Sequence, residues 1–138
     1  MANTYSQIYI QVVFAVSGRE NLIAKTWKDE LYKYITGIVR NSGQKLLAIN
    51  GVADHVHILL NIQPNIALSA LVRDIKANSS RWVNEKRLVK GKFQWQEGFG
   101  AFSYSLSQLN DVIRYIEEQE KHHAETSFEN EYLSLLKK

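Results

Sequence analysis

The sequence predicts an α+β fold with one antiparallel sheet, and three observations support this prediction. The 138 residues are 45% hydrophobic, which suits one domain, residues 1–138, with one core. Segments rich in β-branched and aromatic residues alternate with segments of helical periodicity in the order β-α-β-β-α-β, and a further helix follows. Only Ala53-Asp54 separates the two central strands, which indicates a hairpin. This order is typical of a split βαβ sandwich with ferredoxin-like or RRM-like topology, here with a C-terminal helix that carries a tyrosine.

The first half of the chain is predicted to form a strand, a helix and a hairpin. Residues 6–16, SQIYIQVVFAV, have the composition of a strand. Residues 26–40 place apolar side chains at helical spacing, and the sequence Asn41-Ser42-Gly43 is a stop signal. Residues 45–52 and 55–62 form the two hairpin strands.

The second half is predicted to contain two helices with a strand between them. Residues 67–87 form a helix whose apolar stripe includes Leu68, Leu71, Val72 and Ile75. Residues 102–105 form a short strand. Residues 107–122 form the last helix, with Ser107 as its predicted N-terminal cap.

The composition also limits the cellular setting and the kinds of metal site. The chain has no cysteine, which excludes disulfides and thiolate ligands. No apolar stretch approaches the length of a membrane span. We also expect no secretory leader, because the sequence shows no charged segment followed by an apolar segment and a small-residue cleavage site. We therefore expect a cytoplasmic protein without a membrane partner.

Positive charge is concentrated in one part of the chain. Between Leu68 and Lys92 the net charge is +5, whereas the whole chain carries only +3. Such a segment indicates a polyanionic partner, most commonly nucleic acid. A solvated helix face rich in Lys and Arg explains the same charges equally well when they are taken alone. The basic residues are Arg73, Lys76, Arg81, Lys86, Arg87, Lys90 and Lys92.

Two histidines occupy alternate positions in the apolar stretch DHVHILL, which begins at Asp54. In a strand, His55 and His57 project to one face while the apolar residues between and after them fill the other. Two adjacent imidazoles suggest a metal site, although an incidental pair is the simpler interpretation without a third ligand. The remaining histidines, His122 and His123, lie near the end of the predicted last helix.

The last helix offers a possible third ligand and a nucleophile. In LNDVIRYIEEQEKHH, Tyr115 and Gln119 stand four residues apart and share a helix face. A tyrosine can attack a phosphodiester when a divalent ion polarises the phosphate, and a glutamine oxygen suits a hard ion. The alternative is that Tyr115 only packs beside Ile116.

Three motifs in this order resemble the single-tyrosine HUH transposases of the insertion-sequence 200/605 type, in which U is a hydrophobic residue. They are DHVHILL, FQWQEGFGAFSYS, and YIEEQEKHH followed by SFENEYLSLLKK. The resemblance covers nearly the whole chain. It implies that His55, His57 and Gln119 bind a divalent ion, Mg²⁺ or Mn²⁺, and that Tyr115 is the nucleophile.

The resemblance also implies a reaction and partners. Single-stranded DNA would be cleaved and rejoined at insertion-sequence ends through a 5′-phosphotyrosine, and a homodimer would recognise hairpin DNA at those ends. In the family, the tyrosine helix can complete the histidine site of the partner subunit. Residues 86–92, KRLVKGK, are the expected phosphate contact, and Trp95, Phe99 and Phe102 are candidates for base stacking. A core position is an equal alternative for Trp95 and the better interpretation for Phe102.

Two other classes of function remain open on the sequence. A domesticated, non-catalytic module could use the same sheet and basic segment to hold hairpin DNA or RNA. A metal-dependent nuclease or phosphodiesterase could use water as its nucleophile, and Tyr115 would then be dispensable.

Overall fold

The computed structural model describes residues 5–119 together with Leu133, Leu135 and Leu136. His122 and His123 lie outside the described residues, as does the end of the predicted last helix. The elements are β1 (Tyr9–Ala15), α1 (Lys28–Asn41), β2 (Lys45–Val52), β3 (His55–Asn61), α2 (Leu68–Glu85), β4 (Gly100–Tyr104) and α3 (Leu109–Glu117).

The four strands form one antiparallel sheet in the order β2-β3-β1-β4. The chain runs from β1 through α1 to β2, and β3 then inserts between those two strands. This is the split βαβ topology, so the predicted fold class is confirmed. Within the described part of the chain, no helix is long and apolar enough to cross a membrane.

The main core lies between the sheet and the helices α1 and α2. Alternate residues of the two central strands point into it, because successive side chains of a strand face opposite sides. They meet apolar residues from both helices, and nearly all of these side chains are inaccessible to solvent. The central members are Val12, Phe14, Val56, Ile58, Leu60, Leu31, Ile35, Leu71 and Ile75.

The helix α3 packs on the other face of the sheet. Its buried residues Val112 and Ile116 contact Ala48 of β2 and Leu59 of β3 in a second, smaller cluster. This cluster is the packing that holds α3 against the strands. It places the tyrosine helix on the face that carries the two histidines.

The β2–β3 hairpin depends on a glycine at the point where its strands approach most closely. Gly51 pairs with Val56, and a Cβ atom at Gly51 would lie 2.2 Å from the backbone oxygen of His55. A side chain there would force the strands apart beside the histidines.

Several helix boundaries differ from the sequence prediction. The helix α1 begins at Lys28 rather than at residue 26, and α3 ends at Glu117, because Glu118 has a φ of −98° and a ψ of 25°. The helix α2 ends at Glu85 rather than at residue 87, because Arg87 adopts a φ of 53°, which is outside the helical region. Before α3, the residue that caps the first turn is Ser105 rather than Ser107. The backbone N–H of Ser105 donates a hydrogen bond to Oε1 of Gln108 at 2.9 Å. The predicted cap at Ser107 is therefore wrong.

Candidate active site

The two histidines of β3 lie side by side on the face covered by α3. His55 is 1% exposed and His57 is 0% exposed, and their ring centroids are 5.1 Å apart. The apolar residues Val56, Ile58 and Leu60 point into the main core instead. The alternation inferred from the sequence is therefore confirmed, and it brings two imidazoles together in a buried setting.

Each imidazole is held through its Nδ1 atom. Asp54 Oδ1 lies 2.7 Å from Nδ1 of His55, and Nε2 of Gln11 lies 2.8 Å from Nδ1 of His57. Histidines that bind metals commonly use one ring nitrogen for the metal and bond the other to a carboxylate or a carbonyl. His55 follows this pattern through Asp54, which leaves its Nε2 atom as the candidate ligand atom.

The helix α3 brings Tyr115 next to the histidines. The centroids of the Tyr115 and His57 rings are 5.8 Å apart, with an interplanar angle of 81°. Tyr115 is also partly buried against the small cluster that anchors α3. The side chain therefore packs on the helix flank and faces the histidine pair at the same time.

Gln119 lies two residues beyond the end of α3 and is 0% exposed. Its Nε2 atom donates to the backbone oxygen of Tyr115 at 3.2 Å. Its Oε1 atom is buried and accepts no hydrogen bond from the described residues. A buried amide oxygen without a hydrogen bond lowers the stability of the folded protein unless another group binds it. The Oε1 atom is therefore suited to bind a hard cation.

No group of three or more His, Cys, Asp or Glu side chains suitable for a metal occurs in the part of the chain that the structure describes. A metal centre on this face would accordingly need a ligand of another type beside His55 and His57. The buried oxygen of Gln119 is a ligand atom of such another type.

Residues 4–119 match the profile of the family described as "Transposase IS200 like". The chain belongs to the IS200-like transposase family. It is 23% identical to the ISDra2 transposase TnpA of Deinococcus radiodurans over 118 residues, which are 82% of this chain and 84% of that one.

The fold of this transposase is also found in solved structures. A crystal structure of a protein from Deinococcus radiodurans R1, described as a transposase, has a TM-score of 0.70 at 21% identity and covers 86% of this chain and 95% of that one. A REP-associated tyrosine transposase bound to a REP hairpin has a TM-score of 0.63 at 15% identity, with 86% and 70% coverage.

The basic residues of the transposase lie away from the histidine face, since α2 packs on the opposite side of the sheet. The side chains of six of them are exposed. Two form surface ion pairs, Arg73 with Asp74 at 3.5 Å and Arg81 with Glu85 at 3.9 Å. The exposed residues are Arg73, Arg81, Lys86, Arg87, Lys90 and Lys92.

Lys76 differs from the other basic residues, because it is partly buried and its ammonium group bonds to the protein backbone. It donates hydrogen bonds to the backbone oxygens of Gln96 and Gly98 and lies 5.9 Å from the centroid of the Phe14 ring. Burial lowers the pKa of Lys76, and the nearby Glu97 offsets part of this effect. Lys76 therefore ties the loop before β4 to α2, which corrects its predicted place on an open basic surface.

Trp95 is also a core residue. It is 8% exposed, its ring lies edge-on to Phe14 at 4.7 Å and to Phe93 at 4.9 Å, and its Nε1 atom donates to Oγ of Ser79 at 2.9 Å. Of the two interpretations of Trp95, a stacking surface or a core position, the structure shows the core position. Phe99 is 37% exposed, so it is the more accessible of the two rings.

Two residues of the site were not singled out in the sequence. Asp54 directly precedes His55, so its position in the motif offered a local signal. Gln11 lies 46 residues from His57 and reaches it only through the pairing of β1 with β3. No local pattern identifies that contact.

Proposed function

We propose that this chain is a metal-dependent transposase that cleaves and rejoins single-stranded DNA at insertion-sequence ends, with Tyr115 as the nucleophile. The observation that carries the proposal is the position of the Tyr115 ring, 5.8 Å from the ring of His57, which in turn lies 5.1 Å from the ring of His55. Membership of a transposase family supports the same reaction class.

The metal ligands in this proposal are His55, His57 and Gln119. Their fit rests on the contact of Asp54 with Nδ1 of His55 and on the buried Oε1 atom of Gln119. A bound Mg²⁺ or Mn²⁺ would polarise the scissile phosphate and stabilise the charge that develops on its oxygens.

The residues of the chain supply positioning and the nucleophile. The small apolar cluster and the backbone of α3 hold Tyr115 beside the histidines, which reduces the freedom that must be lost before attack. The phenolic oxygen forms a bond to phosphorus while the bond to the 3′ oxygen breaks. The tyrosine loses its proton, the leaving 3′ oxygen gains one, and a 5′-phosphotyrosine results.

Rejoining is the same step in reverse with a different strand. A 3′-hydroxyl from another DNA end attacks the phosphotyrosine and restores a phosphodiester. One phosphodiester is exchanged for another at each stage, so no high-energy cofactor is consumed. Each chain can hold one DNA end on Tyr115, and an element has two ends. We therefore propose a homodimer that acts in the cytoplasm.

Hairpin recognition is assigned to the exposed basic residues that follow α2. Lys86, Arg87, Lys90 and Lys92 lie within seven consecutive residues, and their charges suit the backbone of a folded-back strand. A relative of the same fold bound to a REP hairpin supports this part of the proposal.

The test is the formation of a covalent adduct. The protein is incubated with Mn²⁺ and single-stranded oligonucleotides from the DNA that flanks its gene, and adducts are separated on a denaturing gel. We expect an adduct with the wild type and with Tyr34→Phe, a control on α1, but none with Tyr115→Phe. Cleavage without an adduct would instead indicate a water-using nuclease, and hairpin binding without cleavage would indicate a non-catalytic module.

A further inference from the structure

Two polar side chains, Gln11 and Tyr104, continue from His57 in a hydrogen-bonded chain. Gln11 of β1 is 0% exposed, and its amide lies between His57 and Tyr104. The Nε2 atom of Gln11 is 2.8 Å from Nδ1 of His57, and its Oε1 atom accepts a hydrogen bond from the Tyr104 hydroxyl at 2.8 Å. A buried amide is tolerated because both of its ends are bonded.

The two histidines have different partners, and the difference has a chemical consequence. Asp54 is a hydrogen-bond acceptor when ionised, so it holds a proton on Nδ1 of His55 and leaves the lone pair on Nε2. Gln11 can present either its NH₂ group or its oxygen to His57. Only the oxygen holds the proton on Nδ1 and leaves Nε2 with the lone pair that a metal requires.

We propose that Gln11 is a positioning residue of the metal centre, which accepts a hydrogen bond from Nδ1–H of His57 and thereby presents Nε2 as the ligand atom. This inference rests on the metal ligands of the proposed function. It adds Gln11 of β1, which contacts His57 at Nδ1, the ring nitrogen that does not bind the proposed metal.

Tyr104 can form a hydrogen bond with the side-chain amide of Gln11 in either orientation of that amide. A hydroxyl both donates and accepts, so Tyr104 donates when Oε1 of Gln11 faces it and accepts when the NH₂ group faces it. Burial raises the pKa of Tyr104, which keeps the hydroxyl protonated at neutral pH. Reversing the amide for metal binding therefore preserves both hydrogen bonds.

The experiment compares Gln11→Met, Gln11→Glu and Gln44→Met with the wild type. Methionine has a similar length but removes both polar atoms, whereas glutamate keeps an acceptor. Gln44 is a matched control, because it is another buried glutamine whose oxygen accepts the backbone N–H of Gln63, away from the histidines. Free Mn²⁺ is titrated by electron paramagnetic resonance, and the tautomer of His57 is read by ¹⁵N NMR of the metal-free proteins.

We expect Gln11→Met to weaken Mn²⁺ binding by about 10-fold to 100-fold and to change the ¹⁵N shifts of His57. Gln11→Glu should restore the affinity to within about fivefold of the wild type, and Gln44→Met should leave the affinity and the His57 shifts unchanged. If Gln11→Met binds Mn²⁺ as tightly as the wild type does, the positioning role is wrong while the metal site stands. A wild-type protein that binds no Mn²⁺ would overturn the metal site and this inference together.

Discussion

The side-chain amide of Asn50 donates a hydrogen bond to the backbone oxygen of Glu117 at 2.9 Å, which joins β2 to the end of the tyrosine helix. Asn50 pairs with His57 across the hairpin. The contact therefore fixes α3 beside His57, whose ring lies 5.8 Å from that of Tyr115.

Replacing Asn50 with Ala should loosen α3 without unfolding the sheet. One hydrogen bond of this kind contributes about 0.5–1.5 kcal/mol, so the amides of α3 should exchange with solvent several times faster. We expect adduct formation to slow by a similar factor while hairpin binding is retained. Hydrogen exchange and adduct kinetics measure the two effects. Asn78→Ala on α2 is the control, and an equal effect of that variant would contradict a specific role for Asn50.

Much of the site was predictable because its signals are local. The alternation in DHVHILL fixes which face carries His55 and His57, and the four-residue spacing predicted the proximity of Gln119 to Tyr115, whose backbone oxygen accepts a hydrogen bond from the Gln119 amide. Both rules depend only on the geometry of a single element.

The features that could not be predicted all depend on contacts between distant segments. Gln11 meets His57 through the register of β1 and β3, and Lys76 reaches the backbone at Gln96 across 20 residues. Trp95 enters the core because Ser79 and Phe14 are brought beside it by the packing of α2 on the sheet. Composition and periodicity carry no information about such pairings.

The exposed basic segment should control hairpin affinity and its dependence on salt. Replacing Lys86, Arg87, Lys90 and Lys92 with Ala removes four phosphate contacts in the proposed complex. The slope of log affinity against log salt should therefore fall by roughly three units. The control replaces Lys25, Lys33, Arg40 and Lys45, which are exposed and remove the same charge elsewhere. Equal slopes in the two quadruple variants would exclude residues 86–92 from the DNA surface.

Replacing a proposed metal ligand should affect DNA cleavage but not hairpin binding. His57→Ala and His57→Gln should abolish cleavage while hairpin affinity changes by less than about twofold, because the basic segment lies beyond the opposite face of the sheet. Binding titrations and cleavage assays on the same preparations test this expectation. Thermal unfolding shows whether each variant is folded. Loss of hairpin affinity in a folded His57 variant would mean that one coupled site performs both tasks.

Stability at alkaline pH should depend on Tyr104. Burial raises its pKa above the ordinary value of 10.0, so the folded protein favours the neutral phenol. This contribution to stability is complete below pH 10 and is lost as the pH rises through the higher pKa of the folded state. Denaturant unfolding between pH 8 and pH 11 should therefore show a smaller alkaline loss in Tyr104→Phe than in the wild type. An identical loss in both proteins would contradict the assignment.

The most direct test of the nucleophile is to locate the DNA on the protein by mass spectrometry. Trypsin cleaves after Arg114 and Lys121, which yields the peptide YIEEQEK, residues 115–121, with Tyr115 as its single tyrosine. After adduct formation and nuclease digestion, we predict that this peptide carries the mass of a 5′-linked nucleotide and that the released strand ends in a 3′-hydroxyl. A nucleotide found on any other peptide, or cleaved DNA with no modified peptide, would contradict Tyr115 as the nucleophile.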